Sequence, residues 1–165
     1  DKNNGPNIIP KEAIITAVRK TNNYIAINHD QANMFATVFL VLLEQEKDEV
    51  WYINCGHDAP VIIRSDGRKE RLMPTNPAIG MFPDIQLECK SICLQSGDSL
   101  FAFTDGVSDA RSSSEDQFGE ERILEILSKQ ISLKNRLDSL VKTLLQHTSG
   151  VDQYDDITCI AFNRS

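Results

Sequence analysis

Beyond Phe103 the hydrophobic spacing of this chain changes from the period of a strand to that of a helix, and it changes back near Ile157. That order of patterns limits the fold more than any other feature. Phe35 to Leu43, Val50 to Cys55 and Val61 to Arg64 are β-branched or aromatic runs, which predicts consecutive antiparallel strands. Ser65-Asp66-Gly67-Arg68 signals a hairpin, and Lys69 to Met73 can pair back across it. Ile85 to Leu94 alternates apolar with polar residues, as a half-buried strand does. Ser96-Gly97-Asp98 then turns the chain into the apolar run ending at Phe103. After it, Ile123, Leu124, Ile126 and Leu127, and later Leu137, Leu140, Val141, Leu144 and Leu145, lie on helical stripes. Ile157 to Phe162 supplies a closing strand, and Pro10 to Asn28 an opening helix with proline in its first turn. Such an order predicts an α+β layered domain with mainly antiparallel sheets.

The chain's 165 residues suit a single domain, 1–165, with one core. Its charge is −7, from 17 basic and 24 acidic residues with no basic cluster, which argues against nucleic acid as a partner. The longest apolar run, Val38 to Leu43, is too short to cross a bilayer, so no membrane insertion is expected. Cys55, Cys89, Cys93 and Cys159 fall in strand-like segments. Cys89 and Cys93 would lie about 13 Å apart on one side of a strand, too far for a mutual disulfide. All four read as buried thiols in a reducing, cytoplasmic compartment. Met73 to Pro83 holds three prolines and should be an irregular loop, and Ser112-Ser113-Ser114 a flexible one.

Aspartates stand beside apolar strands in Thr104-Asp105-Gly106, Ser108-Asp109-Ala110 and Asp155-Asp156-Ile157-Thr158. Asp105 ends one strand and Asp155-Asp156 begins another, so pairing of the two would gather carboxylates at one sheet edge. Such charges repel unless a hard divalent cation relieves them, and oxygen ligands favour Mg²⁺ or Mn²⁺. The plain alternative is a set of turn and capping aspartates. Taken singly, each motif fits either reading.

Asn54-Cys55-Gly56-His57-Asp58-Ala59-Pro60, Pro77-Ala78-Ile79-Gly80, Gly97 to Ala110, Phe118-Gly119-Glu120-Glu121-Arg122 and Asp155-Asp156-Ile157-Thr158 follow one another in a single line. As a set, from about Met34 to Phe162, they resemble the bacterial PPM-type (protein phosphatase 2C-like) serine/threonine phosphatases of the sporulation-protein-E and sigma-regulator subgroup. The resemblance implies an antiparallel β-sandwich flanked by helices. It also implies two Mg²⁺ or Mn²⁺ ions bridging a water that attacks a phosphoserine or phosphothreonine. On motif position Asp105 and Asp155 match the family's catalytic metal ligands, with Asp156 beside them as a further ligand. Asp109 would support them from the side, and Gly106 would let the backbone pass close to the site. His57 lies in the family's glycine-histidine motif, either fixing the strand-to-loop corner or donating a proton. Asp58 stands where the family usually has asparagine.

Met34-Phe35-Ala36-Thr37 resembles the family's strand entry and is assigned to packing, while His29 and His147 have no constellation around them. The implied substrate is a phosphorylated regulatory protein, of the kind that antagonises an anti-sigma factor, in bacterial signalling. The family's first metal motif would precede Pro10, and Asp1 to Asn7 do not contain it. The expectation is therefore a domain truncated at its N-terminus, or a catalytically silent phosphatase-like module that binds a signalling protein. Missing N-terminal strands would leave a sheet edge open to pairing with another chain, as in a homodimer.

Overall fold

The computed structural model describes residues 9–28, 34–44, 47–153 and 155–164. Its elements are α1 (Pro10–Asn28), β1 (Val38–Leu43), β2 (Glu49–Cys55), β3 (Val61–Ile63), β4 (Lys69–Arg71), β5 (Lys90–Cys93), β6 (Ser99–Phe103), α2 (Asp105–Ser108), α3 (Glu120–Leu127), α4 (Leu133–His147) and β7 (Cys159–Asn163). They fall into two compact units, Asp1–His57 with Met73–Leu94, and Asp58–Leu72 with Gln95–Ser165.

In the first unit the antiparallel sheet runs β1-β2-β5, with Val38 opposite Cys55 and Glu49 opposite Cys93. Helix α1 buries Ile14 and Val18 in a core with Ile53, Cys55, Ile79 and Cys89. That core follows from the helical spacing of α1, since residues four apart share one face. Near the C-terminal end of α1, the fully buried Asn22 amide donates to the Phe82 carbonyl at 3.0 Å and accepts from the Gly80 amide at 2.9 Å. Gly80 has φ +91°, and a Cβ there would stand 2.4 Å from Ile25 Cγ2. Only glycine fits.

In the second unit the sheet order is β4-β3-β6-β7, all antiparallel, with Ile62 between Glu70 and Leu100 and with Phe103 opposite Cys159. Every residue of β6 is buried, as expected of a central strand covered on both faces. Phe101 and Phe103 pack with Ile123, Ile126 and Leu127 of α3 and with Leu140 and Leu144 of α4. Replacing the fully buried Phe101 by alanine would cost roughly 3–5 kcal/mol. Ser132 caps α4 by accepting the Asn135 amide at 3.2 Å.

The fold class is therefore the α+β class expected, with antiparallel sheets and separate helices. Several local expectations need correction. β2 and β3 are not paired, because β3 joins the other sheet. The strand expected over Ile85 to Leu94 narrows to β5. At Glu88 the side-chain amide of Asn76 takes the place of a neighbouring strand, donating to the Glu88 carbonyl at 2.9 Å and accepting its N–H at 2.7 Å. Burial still alternates there without a ladder. Met34 and Phe35 are exposed rather than packed, and the chain joins the neighbouring segment there through the Ala36–Ile79 bridge. Of the cysteines, Cys55 and Cys89 are buried and Cys159 partly so, but Cys93 faces solvent on edge strand β5. The serine run forms an ordered turn in which the Ser112 hydroxyl accepts from the amides of Ser114 and Asp116. His147 is surrounded by Arg122, Phe118 and the Asp116 carbonyl. His29 lies outside the described residues.

Candidate functional site

Strand β6 ends at Phe103, two residues short of Asp105, the expected strand end. Thr104 is extended, at φ −79° and ψ 157°, and Asp105 opens the single helical turn α2. The turn closes where the Asp109 amide donates to the Asp105 carbonyl at 2.8 Å. An acidic residue in a first helical turn is favoured by the free amides there, and the Asp105 carboxylate accepts its neighbour's amide, from Gly106, at 2.9 Å.

Across from it, Asp155 and Asp156 precede β7 rather than beginning it. The Asp155 carboxylate accepts the Asp156 amide at 2.7 Å, and its carbonyl accepts from Gln153 Nε2 at 2.7 Å. Pairing of β6 with β7 brings the two aspartate segments to the same edge. Beyond the last ladder pair Thr104 locks them together, its hydroxyl donating to the Asp156 carbonyl at 2.7 Å and accepting the Thr158 amide at 3.0 Å. Gly106 lies so near that a Cβ would meet the Asp156 carbonyl oxygen at 2.4 Å. The close backbone passage expected of Gly106 is thus present, and its partner is the other aspartate segment.

Asp109 is exposed at the end of the turn and accepts from Gln117 Nε2 at 3.2 Å. Asp105, Asp155 and Asp156 are likewise exposed, so their remaining carboxylate oxygens face solvent. His57 belongs to the first unit, at the end of β2, where its backbone amide donates to Asn54 Oδ1 at 2.9 Å and its ring lies 6.4 Å from Phe39. Asn54 in turn accepts through its carbonyl from the amides of Thr75 and Asn76, each at 3.2 Å.

The exposed carboxylates suit Mg²⁺ or Mn²⁺ in type. In placement they fall short, because no group of three or more His, Cys, Asp or Glu among the described residues is gathered so as to hold a metal ion. Burial pushes the Cys55 and Cys159 thiols up to about 11, so both stay protonated at neutral pH and are poor nucleophiles and ligands. Thr104 and Gln117 went unrecognised in the sequence. A threonine before an Asp-Gly could have been read as a hydroxyl clamp, whereas nothing local marks Gln117.

A family model described as Stage II sporulation protein E (SpoIIE) matches residues 10–165. Protein IcfG of Synechocystis sp. (strain ATCC 27184 / PCC 6803 / Kazusa) is 41% identical over 152 residues, covering 92% of this chain and 24% of that protein. Phosphoserine phosphatase RsbP of Bacillus subtilis (strain 168) is 28% identical over 86 residues, covering 52% of this chain and 21% of that protein. The chain thus spans about a quarter of the length of these relatives. Among solved structures, the phosphatase domain and regulatory fragment of SpoIIE from Bacillus subtilis superposes with TM-score 0.71 at 19% identity, covering 93% of this chain and 44% of that one. The catalytic domain of the serine threonine protein phosphatase PstP, in complex with 2 manganese ions, gives TM-score 0.69 at 18% identity, covering 96% of this chain and 73% of that one. These structures establish the fold. With the family model running across both units, the chain belongs to the SpoIIE family of bacterial PP2C-type phosphatase domains.

Proposed function

We propose that this chain is the catalytic domain of a metal-dependent phosphatase that hydrolyses phosphoserine or phosphothreonine on a regulatory partner protein in bacterial signalling. The observation that carries this reading is the junction of Thr104, Gly106 and Asp156, which holds two aspartate-bearing segments at one sheet edge with carboxylates exposed. Asp105 and Asp155, with Asp156, are the metal ligands in this reading. Asp109 and Gly106 support them, and His57 fixes the corner after β2. Mg²⁺ or Mn²⁺ would be the ion, on the ligand chemistry and on the manganese in the PstP neighbour. Since no three such side chains among the described residues are gathered to hold a metal ion, the reading requires these three carboxylates to turn toward a common point or to be joined by further ligands from elsewhere in the protein.

The family model crosses both units without a break, which supports one domain over 1–165. The name of RsbP supports a phosphoserine substrate. No helix among the described residues is long and apolar enough to cross a membrane. Pairing of two copies along a sheet edge remains part of the reading, and sedimentation of the full-length protein tests it: a monomer at high concentration removes it.

The decisive experiment is phosphate release from a phosphoserine peptide by the full-length protein with Mn²⁺. Asp105→Asn should all but abolish release, by about a thousandfold, and unchanged turnover would defeat the assignment. A second reading, a silent phosphatase-like module that binds a signalling protein, is favoured by the lack of a gathered set of ligands among the described residues. Calorimetric titration of the full-length protein with Mn²⁺ separates the two, since saturable binding lost in D105N excludes the silent module.

A further inference from the structure

His147, the last residue of α4, is half-buried between α3 and the segment that follows Asp109. Its Nδ1 lies 3.2 Å from Arg122 Nη1 and its Nε2 lies 2.9 Å from the Asp116 carbonyl oxygen. A guanidinium has no lone pair to offer, so Nδ1 must accept. Nε2 therefore carries the hydrogen and donates to Asp116. The ring also stands edge-on to Phe118 at 5.3 Å, while Arg122 covers that phenyl ring at 5.1 Å. These contacts select one neutral tautomer of His147 in one orientation.

The residues it grips lead directly to the candidate site. The Asp116 carbonyl also accepts the Ser112 amide at 3.0 Å, closing the turn, and Arg111 bridges Gln117. Gln117 Nε2 then donates to Asp109 Oδ1 at 3.2 Å, and the Phe118 amide donates to the Ala110 carbonyl at 2.8 Å. An exposed two-stranded turn of this size does not hold its own shape in water. Arg111 with Glu115 and the Ser112 hydroxyl brace it from within, Phe118 roots its base in the core, and His147 ties it to α4 through the Asp116 carbonyl.

We propose that His147 is a positioning residue: held by Arg122, it clamps the 111–118 turn through the Asp116 carbonyl, and Gln117 in that turn fixes the direction of the Asp109 carboxylate beside α2. This deepens the phosphatase reading and rests on it for its catalytic consequence, whereas the clamp itself is a structural claim. Glutamine keeps both an acceptor and a donor at this position, while leucine keeps only the bulk.

The test uses the full-length protein and its H147L, H147Q, Q117L and H147L/Q117L variants, with hydrogen–deuterium exchange of peptides spanning 110–119 and Mn²⁺-supported turnover of a phosphoserine peptide. H147L should speed exchange there and lower kcat about tenfold with KM within about twofold, as loss of a supporting partner does. H147Q should restore both. Q117L, which leaves α4 untouched, should lower kcat without speeding exchange, and the double variant should be no worse than the poorer single one. Equal damage in H147Q and H147L, additive losses, or unchanged exchange in H147L overturns the proposal. Should the wild type show no turnover, the phosphatase reading has failed on its own, and exchange alone decides the clamp: faster exchange confined to 110–119 in H147L and reversed in H147Q upholds it, and any other pattern overturns it.

Discussion

Strand β6 has an aspartate at each end, and the two are used in opposite ways. Asp98, before Ser99, is 1% exposed, and its carboxylate takes the Arg64 guanidinium at 2.8 Å and the amides of Ser65 and Gln95, each at 2.9 Å. Asp105, after Thr104, is exposed and accepts the amide of Gly106. At the entrance both oxygens are committed to joining the turn that leads into β6, at Gln95, to the start of the hairpin after β3, at Arg64 and Ser65. At the exit, acceptor capacity is left over for something other than the fold. One strand thus separates an aspartate that stabilises from one that is available to a ligand, and burial with its partners makes the difference rather than residue type.

The comparison breaks hardest at Asp105. D105N should lower turnover about a thousandfold, equivalent to roughly 4 kcal/mol of barrier, without lowering the thermal midpoint, and a matching loss of stability would erase the contrast. D98A should do the reverse. Arg64 keeps Glu70 at 2.6 Å, but the amides of Ser65 and Gln95 lose their acceptor, which costs about 3 kcal/mol, read as a thermal shift of the full-length protein, while kcat per folded molecule stays near the wild-type value. G106A lies between the two, because its methyl group must displace the Asp156 carbonyl, at about 2 kcal/mol. It should lose stability and turnover together, and a loss of stability alone would separate the junction from the chemistry.

The smallest effect is in acid. Burial pushes the Asp98 carboxyl up, but the Arg64 guanidinium and the amides of Gln95 and Ser65 outweigh it and hold the group below the usual carboxylate range. A folded-state value below the unfolded one means that the stabilisation is fully present above about pH 4 and fades as pH falls through the folded value. Thermal midpoints measured between about pH 6 and about pH 3 should therefore fall less steeply in D98N than in the wild type. Identical slopes would show that Asp98 is not the titrating group.

Patterns that depend on near neighbours in the sequence were legible from it. The helix over Pro10–Asn28, the hairpin at Ser65 to Arg68 and the helical stripes of α3 and α4 all come from spacing or turn chemistry within a few residues. The limits of β5 were not, because the amide that displaces its ladder comes from Asn76, twelve residues before Glu88. Nor was the break between β2 and β3, since alternation records which face is buried and not which sheet receives the strand. At the site, the convergence of the Asp105 and Asp155-Asp156 segments was readable from strand ends. The one-turn helix was not, because Asp-Gly serves a turn and a helix start alike, and the roles of Gln117 and His147 rest on contacts across eight and thirty-one residues.

Thr104 has a mechanical consequence as well. Its single hydroxyl sits in the hydrogen-bond path to residues 52 and 54 positions further along the chain, so neither segment can slide along the other without breaking a bond. A force applied to either segment is therefore delivered to its neighbour as a rigid displacement. A methyl group in place of that oxygen would leave the Thr104 amide on the Thr158 carbonyl, at 3.0 Å, as the remaining backbone tie, so the Asp156 end would loosen while the Thr158 end stayed fastened.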